Sequence, residues 1–228
     1  MGPMYVIVSN YVRPDSPNLL RLQDFFAKHR LPCTTVTSVR ELLDVYTTKG
    51  ARVAGMVMTG SSRSAQAFDD YDNVRMNAAA FVLFDGVPKL CICFSHQLVA
   101  AFTGATLTKM PAVRRGTFPV SLSAHPLFAN MSARAAVRMS HQTCVADVPP
   151  NFRAIAHDVA PTSPCRLQGM ADDARRIYTV QFHPEALPAT HTILCNFVAL
   201  CKGARKRSKA ASRPRTRARA RETRWASA

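Results

Sequence analysis

Short apolar runs alternate along this chain with segments whose apolar residues recur at helical spacing. Tyr5 to Ser9 predicts a strand. Asn18 to His29 carries Leu19, Leu20, Leu22, Phe25 and Phe26 on one helical stripe, with Asn18 as its cap. β-branched Thr34 to Ser38 predicts the next strand, Glu41 to Tyr46 a short helix, Val53 to Thr59 a third strand and Asn77 to Phe84 another helix. Such alternation builds βαβ units, so the expected fold class is α/β, with a mostly parallel central sheet covered by helices on both faces. Between Thr106 and Phe182 the pattern changes. Shorter strand-like pieces near Thr117 to Leu122, Ala135 to Met139 and Arg153 to Ala156 predict an antiparallel flank, and Thr190 to Lys202 predicts a closing amphipathic helix.

One apolar run, Lys89-Leu90-Cys91-Ile92, stops on Cys93, and a helical pattern begins at once with Phe94-Ser95-His96-Gln97. That is the layout of a nucleophile elbow: the strand aims the side chain out of the sheet, and the following helix directs its first N–H groups at the sulfur. A second run, Ile177 to Phe182, ends in His183-Pro184-Glu185. Two residues apart in an extended segment, His183 and Glu185 can face the same way, so the carboxylate can hold one ring nitrogen while the other faces a thiol. A lone cysteine after a strand is usually a small buried hydrophobe, and a lone His-Pro-Glu usually a loop. The joint requirement for strand, cysteine and helix, then strand and His-x-Glu, singles out nucleophile, base and orienting group as Cys93, His183 and Glu185.

With these motifs the chain resembles a class I glutamine amidotransferase domain over about residues 4 to 202. Val180-Gln181-Phe182-His183-Pro184-Glu185 matches that family's base motif in full. Gly55 to Ser61, Pro126-Leu127-Phe128 and Arg138-Met139-Ser140-His141 fall where the family has further conserved stretches. Within the family it is most similar to stand-alone members resembling the glutaminase part of GMP synthase, and to γ-glutamyl peptidases. The resemblance implies a thioester between Cys93 and the γ-carbonyl of glutamine, with His183 as base and Glu185 holding it. It implies an oxyanion hole from the N–H of Phe94 and that of Gly60 or Ser61, and substrate contacts from Gln97, Ser140 and His141. Departures accompany it: Cys91 and Ser95 stand where the family has flanking glycines, and Thr143 where an acid often follows Ser-His-x. Glycine serves such turns because backbone approaches backbone there, so the small serine is tolerable while the cysteine adds a modest steric load.

A metal or redox pair at Cys91-x-Cys93 is disfavoured, since zinc pairs normally have two to four intervening residues. Alternation puts Cys91 on the same face as Cys93, packed beneath the elbow. The seven cysteines, odd in number and scattered, are expected to be reduced thiols. No cofactor is expected. His29, His125, His157 and His191 have no partner at catalytic spacing and are read as surface or capping residues. Asp69-Asp70-Tyr71-Asp72 is read as a solvated turn. No stretch approaches a membrane span, and Met1 to Val8 reads as a strand with no signal-peptide pattern. An intracellular protein, cytoplasmic or nuclear, is expected.

The chain carries a formal +16 at pH 7, and residues 203–228 hold ten Lys/Arg against one acid, so +9 of that charge lies in the last 26 residues. Arg205, Lys206, Arg207, Lys209, Arg213, Arg215, Arg217, Arg219 and Arg221 form this basic tail, expected to be disordered because it can bury little apolar surface. It suits a nucleic acid, an acidic partner or an import receptor. Two domains are therefore expected: residues 1–202, amidotransferase-like, and 203–228, the tail. Three functions stay open: a glutaminase supplying ammonia to a separate synthetase partner, a γ-glutamyl peptidase or hydrolase, and a nucleic-acid-associated protein on a repurposed scaffold.

Overall fold

The computed structural model describes residues 2–63, 65, 72–160 and 162–211, with side chains to Arg205 in the last helix. Among the described residues nine strands and five α-helices follow in the order β1 Met4–Val8, α1 Pro17–Lys28, β2 Cys33–Val36, α2 Val39–Lys49, β3 Val53–Met58, α3 Asp72–Leu83 and β4 Lys89–Ile92. Then come α4 Phe94–Phe102, β5 Leu107–Leu122, β6 Arg134–Val145, β7 Arg153–Asp158, β8 Leu167–Asp172, β9 Ile177–Val180 and α5 His191–Ala211. All nine strands join one sheet in the order β2-β1-β3-β4-β9-β8-β7-β5-β6. The first five in that order pair in parallel and the other four are antiparallel, which is the expected α/β sheet with its antiparallel flank.

The parallel half is buried on both faces, which is why its strands read as nearly unbroken apolar runs. On one face Tyr5, Ile7, Val57, Leu90, Ile92 and Tyr178 pack against Leu22, Phe25 and Phe26 of α1 and against Ile193, Leu194 and Phe197 of α5. On the other, Val6, Val8, Met56, Met58 and Cys91 pack against Leu42 and Val45 of α2, Met76 and Ala80 of α3, and Val99 and Ala100 of α4. Crossovers bury each helix stripe against this sheet and leave the carboxyl ends of β3, β4 and β9 side by side, where α/β sheets form their clefts.

The flank does not lie flat. Beyond β9 the chain bends, and His183 N–H donates to Arg138 O of β6 at 2.9 Å, an isolated antiparallel bridge. The sheet therefore curls until its last strand returns to the carboxyl end of β9. Strand twist accumulating over the long β5–β6 ribbon supplies this curvature, with a register break between Lys109 and Arg114.

Three local expectations change. Asn18 does not cap α1; Ser16 holds the cap position and Pro17 opens the helix, where its missing N–H costs nothing. α5 continues past Lys202 to Ala211, because Cys201 and Ala204 are buried and the Arg205 guanidinium donates to Arg52 O at 3.1 Å. β8 had no counterpart in the sequence pattern. Among the described residues no helix is long and apolar enough to cross a membrane.

Helix α5 lies so close to β3 that a Cβ on Gly55 would overlap Cys201 Sγ and sit 3.3 Å from Phe197 Cζ. Gly55→Ala is expected to destabilise the fold by about 1–3 kcal/mol through overpacking, and Cys201→Ala in the same chain to restore part of the loss, measured by urea unfolding.

Candidate active site

Cys93 follows β4 directly and opens α4 with φ 51° and ψ −100°, a conformation that an L-residue adopts only under constraint. This sharp turn also corrects the expected placement of Cys91. Cys91 packs against Met58 on the α2–α4 face, its Sγ 3.7 Å from Met58 Sδ, whereas Cys93 belongs to the opposite core. Strand alternation ends at the elbow, so the two thiols do not share a face. Burial pushes the Cys91 thiol up to about 12, so it stays protonated.

A buried polar network holds the elbow from below. Asn10 gives its backbone N–H to Thr59 Oγ1 at 2.8 Å and its side-chain amide to Thr59 O at 2.8 Å and Ser95 Oγ at 2.9 Å. The Ser95 hydroxyl lies 2.8 Å from Thr59 O and 3.0 Å from Asn77 Oδ1, and Asn77 donates to Asn10 Oδ1 at 2.6 Å. The loop after β3 is thereby pinned to the first turn of α4. A Cβ on Gly60 would meet His183 Cε1 at 2.9 Å and Cys93 Cβ at 3.4 Å, so the absence of a side chain at position 60 is what lets this loop reach both.

His183 Nδ1 lies 2.7 Å from Glu185 Oε1, both groups buried. The carboxylate can only accept, so Nδ1 carries the proton and Nε2 is left to face outward. Cys93 lies beside this ring: both approach Gly60 and both line the same cleft. His183 and Glu185 meet through a tight turn closed by Ala186 N–H to His183 O at 3.2 Å, not through extended alternation, and His191 Nε2 lies 3.2 Å from Glu185 O and holds the turn from the far side. Burial alone would disfavour the charged imidazole. Glu185 and Cys93 outweigh it and hold His183 well above the ordinary histidine range. Asn18 Nδ2 stands 3.2 Å from the same Nδ1, a packing contact while that nitrogen's proton goes to Glu185.

Gln181 Nε2 donates to Cys93 Sγ at 3.6 Å. Gln97 spends both amide hydrogens inside the protein, on Thr143 O at 2.9 Å and on Gln181 Oε1 at 3.1 Å, so it orients Gln181 from beneath the cleft. Cys93 Sγ is 3.9 Å from Ser140 O, and His141 gives its Nδ1 proton to Thr143 O at 3.0 Å. Burial holds the His141 ring neutral, down to about 4. Phe94, the first residue of α4, belongs to the first turn, whose N–H groups have no partner within the helix. Cys93, Phe94, Gln97, Ser140, His141 and His183 line a cleft of about 1050 Å³, with Ser61, Arg63, Lys109 and Arg115 at its rim. Asp15 also lines it, paired with Arg13 at 2.6 Å.

The cysteines differ from expectation. Cys144 and Cys165 form a disulfide, with Cα atoms 5.4 Å apart. They are 21 residues apart, but the curl of the sheet lays the end of β6 against the loop before β8. Cys33, Cys91, Cys93, Cys195 and Cys201 are free thiols. Of the tail cations, Arg205 packs on Arg52 as above. The side chains of Lys206, Arg207 and Lys209, and Arg213 to Arg221 entirely, lie outside the described residues, as do Asp69 to Tyr71 of the acidic run.

The family profile of glutamine amidotransferase class-I matches residues 34–201. The chain belongs to the class-I glutamine amidotransferase family. A glutamine-hydrolyzing GMP synthase of Clostridium acetobutylicum is 33% identical over 153 residues, covering 66% of this chain and 28% of that protein. One subunit of the glutamine-hydrolyzing GMP synthase of Pyrococcus abyssi is 33% identical over 118 residues, covering 50% of this chain and 61% of its own length. The chain thus spans under two thirds of either relative. In fold it is similar to the crystal structure of a Thermoplasma acidophilum protein described as a candidate GMP synthase subunit. That match has a TM-score of 0.74 at 20% identity and covers 92% of this chain and 98% of the other.

Within this amidotransferase domain the departure at Ser95 has a visible reason. Its hydroxyl is buried and bonded within the Asn10–Thr59–Asn77 network, so the space a family glycine leaves is filled by a partner-satisfied group. Asn10 and Asn77 were not foreseen, because single asparagines 67 positions apart leave no local pattern. Ser95→Ala orphans Asn10 and Asn77 groups in the interior. A loss of about 1–3 kcal/mol in chemical denaturation is expected.

Proposed function

We propose that the chain is a glutaminase of the amidotransferase type, releasing ammonia from the side-chain amide of glutamine for a separate synthetase. The observation that carries this is the meeting of Cys93, His183 and Glu185 at one cleft, with Gly60 pressed against the first two. Cys93 as thiolate would attack the amide carbon while His183 holds the proton. The carbonyl electrons move onto oxygen, for which the N–H groups of Phe94 and of Gly60 or Ser61 are the candidate donors. Collapse breaks the C–N bond as His183 protonates the leaving ammonia, and a thioester remains. Water, giving a proton to His183, then attacks the thioester; glutamate leaves and the thiolate is regenerated. Glu185 keeps Nδ1–H in place so that Nε2 always faces sulfur and substrate. Ser140 and His141, on the β6 wall, are proposed to meet the amino-acid end of the substrate.

The names of the relatives support glutamine as substrate and a synthetase as ammonia acceptor. The cleft volume favours a second reading, hydrolysis of γ-glutamyl peptides by the same thioester route. At about 1050 Å³ it matches the upper end of pockets for ligands larger than an amino acid.

Ammonia release by the full chain with glutamine, and with γ-glutamyl peptides in parallel, tests both readings. Cys93→Ala is expected to lower turnover at least ~10³-fold, as loss of a nucleophile does. A γ-electrophilic glutamine analogue is expected to label Cys93 in the wild type. Turnover unchanged in Cys93→Ala overturns the mechanism, and cleavage of peptides alone selects the second reading.

Because His183 is held above its ordinary range, its imidazolium persists through neutral pH and is lost as pH rises through the raised value, so activity should fall on the alkaline side. Glu185→Gln removes the charge that supports the imidazolium. The alkaline limb is expected to move to lower pH, with kcat reduced by about 10²- to 10⁴-fold, read from pH–rate profiles of both proteins.

A further inference from the structure

We propose that His141, Cys144 and Cys165 form a thiol-gated zinc site beside the cleft, closed while the two sulfurs are joined and able to take one Zn²⁺ when they are reduced. A ring nitrogen of His141 and the two sulfurs all lie within 4.8 Å of one another, and the three residues are 6%, 0% and 0% exposed. Thr143 O can only accept, so His141 Nδ1 carries its proton to that carbonyl at 3.0 Å. Nε2 is left with a lone pair, and this buried nitrogen has no hydrogen-bond partner among the described residues. An orphaned buried acceptor normally costs stability, and a metal ion is one of the few partners that would satisfy it.

The donor set fits zinc. Two thiolates and one imidazole are ligands that zinc prefers, and bond lengths of about 2.3 Å to sulfur and 2.0–2.1 Å to nitrogen set ligand atoms roughly 3.5 Å apart. The three ligand atoms, all within 4.8 Å of one another, need only side-chain adjustment to reach that spacing, and a Cα separation of 5.4 Å allows Cys144 and Cys165 either to bond or to straddle an ion. Two thiolates neutralise the dication, which a buried site requires. The Nδ1–H donated to a backbone carbonyl is the anchoring that metal-binding histidines ordinarily have. Met110 packs on both cysteines and shields the sulfurs from water. Three protein ligands leave a fourth position for water.

The chemistry balances. Two equivalents of a small thiol reduce the disulfide to two cysteine thiols and are themselves oxidised to one small disulfide. Zinc then displaces the two thiol protons into solvent, with no further change of oxidation state. His141 and Cys144 lie on β6, the strand whose Ser140 carbonyl stands 3.9 Å from Cys93 Sγ, and His141 lines the cleft, so the site backs onto its wall. Zinc binding here does not depend on Cys93 being a nucleophile.

Metal content decides it, since zinc could depress activity merely by binding the Cys93 thiolate. The full chain carrying Cys93→Ala would be reduced with a phosphine, freed of reductant under nitrogen, loaded with Zn²⁺ or Co²⁺ and desalted. One metal per chain is expected, with a thiolate-to-cobalt charge-transfer band in the Co²⁺ form. The same chain left oxidised, and the Cys93→Ala/Cys165→Ala chain after reduction, are each expected to hold one metal fewer and to lack the band. The oxidised arm needs no new substitution, so the comparison stands even where Cys165→Ala does not fold. Equal metal in the reduced and oxidised chains, or a reduced chain without the cobalt band, overturns the proposal.

Discussion

The whole arrangement depends on one constrained residue, Cys93, held at positive φ between a strand that cannot shift and a helix that must start there. β4 is fixed by parallel pairing on both sides, to β3 and to β9. A non-glycine residue at positive φ costs about 1–3 kcal/mol, and it persists only where its surroundings over-determine it. Here they do. Cys93 N–H bonds to Val180 O at 2.8 Å, Gln97 N–H to Cys93 O at 3.1 Å, and the Asn10–Thr59–Ser95–Asn77 network clamps the turn to the neighbouring loop. The strain holds Cys93 at the end of the sheet, where it packs on the α1–α5 core and still lines the cleft.

The second determinant is curvature. A flat antiparallel flank would carry β6 four strands away from β9, and the cleft would have no far wall. Because the flank curls, Arg138 of β6 bonds the backbone of His183, and the next residues along β6 lie across the sulfur. The same strand therefore anchors the histidine, lines the cleft and supports Gln97 through Thr143. A change in the twist of β5–β6 would disturb all three together.

Legibility in the sequence followed the range of the interactions. Cys93 and His183-Pro184-Glu185 could be found because each is a local event, a strand ending on a functional group, and because one full motif supports them. The parallel half was readable from alternating patterns, since each βα unit buries its own stripe. What escaped depends on distant pairing. β8, Leu167–Asp172, is buried throughout but carries glutamine, glycine and aspartate, so nothing in its composition marks a strand. The Cys144–Cys165 pairing follows from the curl, which no local pattern encodes. The end of α5 lies beyond the apolar periodicity because Ala204 and Arg205 have tertiary partners, which a run of cations does not reveal.

Charge balance explains why the cleft is built from amides and backbone as much as from ions. In the proposed mechanism a thiolate, an imidazolium and a carboxylate would together leave one net negative charge in a buried place, which is costly unless neighbours supply donors. Glu185 has one oxygen on His183, and the other is buried with no hydrogen-bond partner among the described residues. The sulfur is treated differently: Gln181 donates to it, and the first turn of α4 points its N–H groups and the positive end of its dipole toward it. In the proposed mechanism these neutral donors would support negative charge on sulfur, which leaves His183 to give its proton to the leaving group.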